Sequence, residues 1–203
     1  MSEVAQELAW VDTHCHIDAP EFKDILPEII SGAANTGVKA ILLPTVQASD
    51  WGQAKNLVNQ YGNQMPGLVY TLGIHPLYIN QAQEGDIDIL QKQIEQSLDD
   101  PRFVGVGEIG LDYFVEGLDP QRQEYFFHKQ LDLAQQFQLP VILHVRRSQD
   151  AFLRRCVKER FPVVLRMLLM AAISKLSSSS SWVSNWVLAV LQPMIGHYRF
   201  VAS

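Results

Sequence analysis

The sequence predicts an α/β fold, part of a (β/α)8 barrel with about five βα units followed by a tail of another kind. Three observations predict it. Short apolar runs alternate with helical stretches, and that alternation implies a parallel sheet with right-handed crossovers. His14, His16, His75, Glu108 and His144 each follow an apolar run. Barrels of this type build their sites at the C-terminal ends of the strands, and a complete one needs ~250 residues. After about Pro162 both patterns stop. The expected division is therefore 1–162, the first part of a barrel, and 163–203, an aberrant apolar and serine-rich tail.

The elements follow in order. Trp10 to Thr13 is a short strand ending in a polar cluster. Residues 21–36 read as a helix ending near Gly37. Lys39 to Val46 is a continuous apolar run, as in a strand buried on both faces. Ser49 to Tyr61 is helical, with Ser49 or Asp50 as N-cap. Gly67 to Leu72 is a strand leading into Gly73-Ile74-His75-Pro76. Ile87 to Leu98 is a helix, and Phe103 to Val106 a strand that runs into Gly107-Glu108. Asp119-Pro120 has the form of an N-cap with proline at the first helical position, opening a helix to about Phe137. Pro140 to Leu143 is a strand ending at His144, and Ser148 to about Arg160 a helix. Val183 to Leu191 fits a helix or a strand equally.

Composition bounds the function. The chain has 203 residues, enough for one sizeable core, with a net charge of −6. An acidic chain has no global attraction for nucleic acid, so any phosphate binding comes from a local site with bound cations. Two cysteines, Cys15 and Cys156, make no disulfide framework. The N-terminus is polar and acidic, unlike a secretion signal, and no apolar run is long enough to span a bilayer. These features predict a cytoplasmic protein with no membrane association and no obligate protein partner.

The chemistry concentrates at the strand ends. His14 and His16 form a His-x-His pair, and residues i and i+2 share one side of an extended chain. Two neutral imidazoles there can reach one transition metal, with Asp12 and Asp18 placed to orient the rings. Glu108 lies between glycines that permit unusual torsions and close approach. A carboxylate so placed can bridge two cations. His144 can be a ligand or a satisfied core histidine. Arg146 can clamp phosphate through its planar fork. His75 can bind substrate phosphate or transfer a proton. Asp112 can touch substrate or fix the loop. Cys15, between the two histidines, points away from them as a small buried hydrophobe. His128 reads as a surface residue of its helix.

Taken together, the segments DTHCHID, GIHP, GEIGLDY and QRQEYFFHKQLDLAQQFQLPVILHVR, with their spacing, resemble the TatD family of metal-dependent deoxyribonucleases, over residues 8 to 160. The resemblance implies a TIM-type barrel with two divalent cations of the Mg, Mn or Zn class. It implies hydrolysis of phosphodiester bonds in DNA from the 3′ end. His14 and His16 would bind the first metal, Glu108 would bridge and serve catalysis with His75, and His144 would bind the second. His75, Arg146 and Asp112 would contact the DNA or other phosphodiester substrate. The family pattern also expects a later histidine in a His-Cys/Ala-Phe motif and an aspartate in a Glu-Thr-Asp motif. Neither is present, and His197 does not match.

The tail explains why. Residues 163–203 hold no acidic residue and include five serines in a row, Ser177 to Ser181. Reading permitted codons from the third base of the Arg166 codon yields HAFNGSYQQAQQFIELGFKLGFGGA. That string resembles the missing family segment. The expectation is a frameshift product, with the shift between about Val157 and Arg166. Such a truncated chain would hold one metal or none. Three readings stand: a deoxyribonuclease-type hydrolase, another amidohydrolase-type hydrolase, and a catalytically inactive remnant.

Overall fold

The computed structural model describes residues 10–158 and 186–189. Five strands, β1 (Trp10–Asp12), β2 (Val38–Pro44), β3 (Gly67–Leu72), β4 (Phe103–Asp112) and β5 (Val141–Arg146), pair in parallel and in sequence order. They form a half-barrel. A sixth strand, β6 (Trp186–Ala189), runs antiparallel along β5. The expectation left open over Val183 to Leu191 is thus a strand at its centre. The rest of the tail lies outside the described residues.

Helices fill the crossovers: α1 (Leu26–Asn35), α2 (Trp51–Tyr61), α3 (Asp86–Ser97), α4 (Pro120–Gln136) and α5 (Gln149–Lys158). Apolar residues three or four apart turn inward on α2 (Ala54, Leu57, Val58), α3 (Ile87, Leu90, Ile94) and α4 (Phe126, Phe127, Leu131). They meet Leu43 of β2, Leu68 and Tyr70 of β3 and Val106 of β4 in one cluster. Each fully buried large side chain contributes roughly 1.5–3 kcal/mol by leaving water.

Three boundaries differ from expectation. The stretch over 21–36 divides into a 3-10 turn at Pro20–Phe22 and α1, because Pro27 suits a first helical turn and no other part of it. Asp50 precedes α2, but its carboxylate accepts from the Ser49 hydroxyl and the Gln47 amide and caps nothing. A 3-10 turn at Ala48–Asp50 already leads into that helix. Strand β4 does not stop at Val106. Its pairing to β5 shifts register between Val106 and Ile109 and then resumes to Asp112. Glu108 therefore sits inside a strand, at the irregularity, and His144 also lies within its strand, β5. By contrast Asp119 caps α4 as expected, accepting from the Gln121 and Arg122 amides.

Two buried glutamines of α4 hold the strand ends that matter. Gln130 accepts from the Ile74 amide at 2.6 Å and donates to the Ile74 carbonyl at 3.0 Å. Gln123 does the same to Asp112, at 2.7 Å in both directions. A primary amide matches a backbone peptide group donor for acceptor, so each glutamine docks like one rung of a ladder.

Candidate metal centre

His14 and His16 follow β1 on a segment kept against β2 by the Cys15 amide, which donates to the Leu42 carbonyl. Their Nε2 atoms converge to 3.1 Å. Cys15 is half-buried, and burial, then Asp12, pushes its thiol up to about 11. Asp12 accepts from the His14 amide rather than from a ring.

Glu108 is the hub. Its Oε2 lies 3.3 Å from His14 Nε2 and 3.7 Å from His16 Nε2. Its Oε1 lies 3.2 Å from His144 Nδ1 and 3.6 Å from His75 Nε2. One carboxylate oxygen thus faces each pair of imidazoles. This placement depends on Gly107 and Gly110, with φ of +127° and +152°. A Cβ on Gly110 would overlap the His144 carbonyl. Burial works to raise the Glu108 carboxyl. Hydrogen bonding to His14, His144, His16 and His75 outweighs it and holds the group well below the usual carboxylate range.

The rings differ in state. His75 is buried, and burial lowers its pKa. Its Nδ1 accepts from the Leu77 amide at 3.1 Å, so the neutral ring carries its proton on Nε2. Burial would lower His144 too, but Glu108 and Asp112 prevail and raise it. Hydrogen bonding to Glu108 raises His16. Asp112 is 1% exposed. Its Oδ2 lies 2.9 Å from His144 Nε2, and its Oδ1 accepts from the Phe114 and Val115 amides. Both carboxylate oxygens are engaged with the protein, so Asp112 orients His144 and fixes the loop.

Two triads can each hold an ion: His14, His16 and Glu108, and His75, Glu108 and His144. The donor set fits divalent cations. The two Nε2 atoms, 3.1 Å apart, share one proton as a hydrogen bond, and without it they present two lone pairs to one cation. The His144–Asp112 contact is the outer carboxylate partner that metal-bound imidazoles commonly have. His75 is grouped with the second triad, and with Nδ1 accepting from Leu77 its Nε2 faces Glu108 as a proton donor.

Arg146 is half-buried at the end of β5, its guanidinium carbon 3.7 Å from the centre of the Phe114 ring. Arg147 lies 4.5 Å from the same ring. Phe114 carried no sequence signal as a site residue, and Arg147 was visible only as the neighbour of Arg146. Gln123 and Gln130 were also missed, although polar residues seven apart on the apolar stripe of α4 are a signal that could have found them.

Residues 11–175 match the model of the TatD related DNase family. The chain belongs to that family. It is 37% identical over 143 residues to an uncharacterized metal-dependent hydrolase, YjjV, of Escherichia coli, covering 70% of this chain and 52% of that one. The crystal structure of that TatD homolog superposes with a TM-score of 0.67 at 33% identity, over 73% of this chain and 55% of the other. A 3′-5′ ssDNA/RNA exonuclease TatD of Erwinia billingiae is 29% identical, over 70% of this chain and 52% of its own length. The chain spans about half the length of these relatives. No helix among the described residues is long and apolar enough to cross a membrane.

Proposed function

We propose that the chain derives its chemistry from a divalent-metal-dependent hydrolase that cleaves phosphodiester bonds in DNA from the 3′ end. One observation carries the reading: Glu108 turns one oxygen to each of two histidine pairs. His14 and His16 would hold one cation and His144 the other, with Glu108 between them and the Nε2–H of His75 beside it for substrate binding or proton transfer. Cations held there supply positive charge that polarises a phosphoryl oxygen and acidifies water. The chain's own groups do the rest. Glu108 stays ionised and buried, so it neither takes up a proton near neutrality nor swings into solvent. Asp112 keeps His144 in one orientation, and Gln130 fixes the strand end that presents His75. Arg146, on the His144 face of β5, lies outward of the cluster, where an incoming phosphate first meets the protein.

A second reading is a catalytically inactive remnant. It is favoured by residues 163–203, which hold no acidic side chain to complete a site, and by β6, whose antiparallel course breaks the βα series. We propose with it that this tail is read in a shifted frame. Sequencing the gene tests that point: an open frame with no single-base insertion or deletion relative to an intact relative overturns it.

The function is tested by Mn²⁺- or Mg²⁺-dependent cleavage of 3′-labelled single-stranded DNA by the purified chain, beside His14→Ala and Glu108→Ala variants. Cleavage that both variants lose supports the hydrolase. Soluble, folded protein with no cleavage supports the remnant.

A further inference from the structure

The rim of the centre carries an arrangement that the two triads do not use. On β4 and β5, Asp112 meets His144 across the strand pair. Two residues further along each strand end, Phe114 meets Arg146. Residues i and i+2 face the same way and lie about 6.6 Å apart along a strand, so Arg146 stands one step outward of His144 on the same face. Arg147 would ordinarily point to the opposite face. Its φ of 52° breaks the alternation, and its guanidinium reaches the same phenyl ring.

Two like charges on one ring repel each other. None of the ion pairs among the described residues involves either arginine. Phe114 remains 42% exposed, and the loop that carries it is pinned through the Phe114 and Val115 amides to Asp112. Stacking leaves the donor edges of a guanidinium free for a planar bidentate anion.

We propose that Phe114, Arg146 and Arg147 form a subsite for a second phosphate of a polynucleotide strand, next to the one held at the cluster. The subsite rests on the phosphodiester reading, but it acts before any bond is broken. Phe114 is a positioning residue: it touches no phosphate, and both guanidinium groups rest against its ring. This makes the site prefer a strand of linked nucleotides over an isolated phosphodiester.

The test is binding of a fluorescein-labelled single-stranded 12-mer to the full chain in EDTA, by anisotropy, across a salt series. The variants are Arg146→Ala, Arg147→Asn and Phe114→Leu. Asparagine tolerates the left-handed backbone at 147, so that variant removes the charge without straining the turn. Each arginine variant is expected to weaken binding about tenfold. Each should also flatten the salt slope by ~0.7 for every phosphate the protein no longer neutralises. Phe114→Leu should show part of both effects, and a merely structural role would leave the salt slope untouched. Wild-type slopes and affinities in all three variants would overturn the proposal. Competition by inorganic phosphate at equal phosphate concentration would also overturn it, since the site would then serve any free anion. Hydrolysis of bis(p-nitrophenyl) phosphate with Mn²⁺ separates the two readings. Arginine-dependent binding with no hydrolysis of either substrate leaves the subsite standing and removes the catalytic reading. Hydrolysis of both substrates, equal in wild type and Arg147→Asn, does the reverse.

Discussion

The two histidine pairs around Glu108 are built differently. His75 and His144 are held from behind: His75 by the Leu77 amide, His144 by Asp112. Both lie on or beside interior strands, and α4 clamps the neighbouring backbone through Gln130 and Gln123. His14 and His16 follow a three-residue edge strand. Their side chains are 21% and 40% exposed. The His14 Nδ1 is buried with no hydrogen-bond partner among the described residues. They hold each other and Glu108. The comparison teaches that one half is pre-organised by hydrogen bonds while the other depends on what it binds. An unsatisfied buried nitrogen costs on the order of 1–3 kcal/mol, a cost that falls on the looser half.

The strongest way to break this comparison is Glu108→Gln. Both halves lose their shared anion, so metal binding by titration calorimetry and DNA cleavage should fall together, the latter on the order of 10³-fold. Retention of one tight site in the variant would show that Glu108 is not shared. Asp112→Asn sharpens the comparison, because it touches only the held half. Metal affinity there should fall about 10- to 100-fold, with the other half unchanged. An equal loss at both sites would mean the halves are not separable.

Proton linkage distinguishes the halves by sign. Glu108 raises His16 above its ordinary 6.5. That stabilising contribution is complete below the unfolded value and fades as pH rises through the folded one. His75 is lowered by burial from the same 6.5, so its contribution is present above that value and is lost as pH falls. In the metal-free chain, His16→Gln should cost most Tm near ~pH 5.5 and least near ~pH 8, whereas His75→Gln should flatten the acid limb. Parallel curves for the two variants would refute the assignment. Metal affinity should rise with pH over the same range, because imidazole ligands must shed protons.

The smallest effect concerns Cys15. With its thiol near 11, alkylation at ~pH 8 should be many times slower than for a free peptide thiol. Mass spectrometry of the digested chain reads this separately from Cys156. Labelling at the free-thiol rate would place Cys15 outside the packed wall.

Much of this was legible in the sequence. Asp119-Pro120 marked the start of α4 because capping is local chemistry. The alternation of apolar run and helix gave the parallel order for the same reason. The rest was hidden by distance. Gly107-Glu108-Ile109-Gly110 reads as a loop, since glycines usually end strands. Only pairing to β5, more than thirty residues away, lets β4 continue to Asp112. That register brings Asp112 to His144. His75 was visible, but nothing in Gly-Ile-His-Pro says which carboxylate it will face. Arg147 was visible beside Arg146, but not the φ of 52° that goes with its contact to Phe114.

β6 also sets a clock. Its four residues turn β5 from an outer strand into one with neighbours on both sides, opposite Ile142 to Val145. Deuterium should therefore enter the β5 amides that face β6 only when those four residues detach. The amides around His14, beside the sheet's other margin, should fill in first. Exchange at β5 thus times the hold of Trp186–Ala189 on the half-barrel, without any catalytic assay.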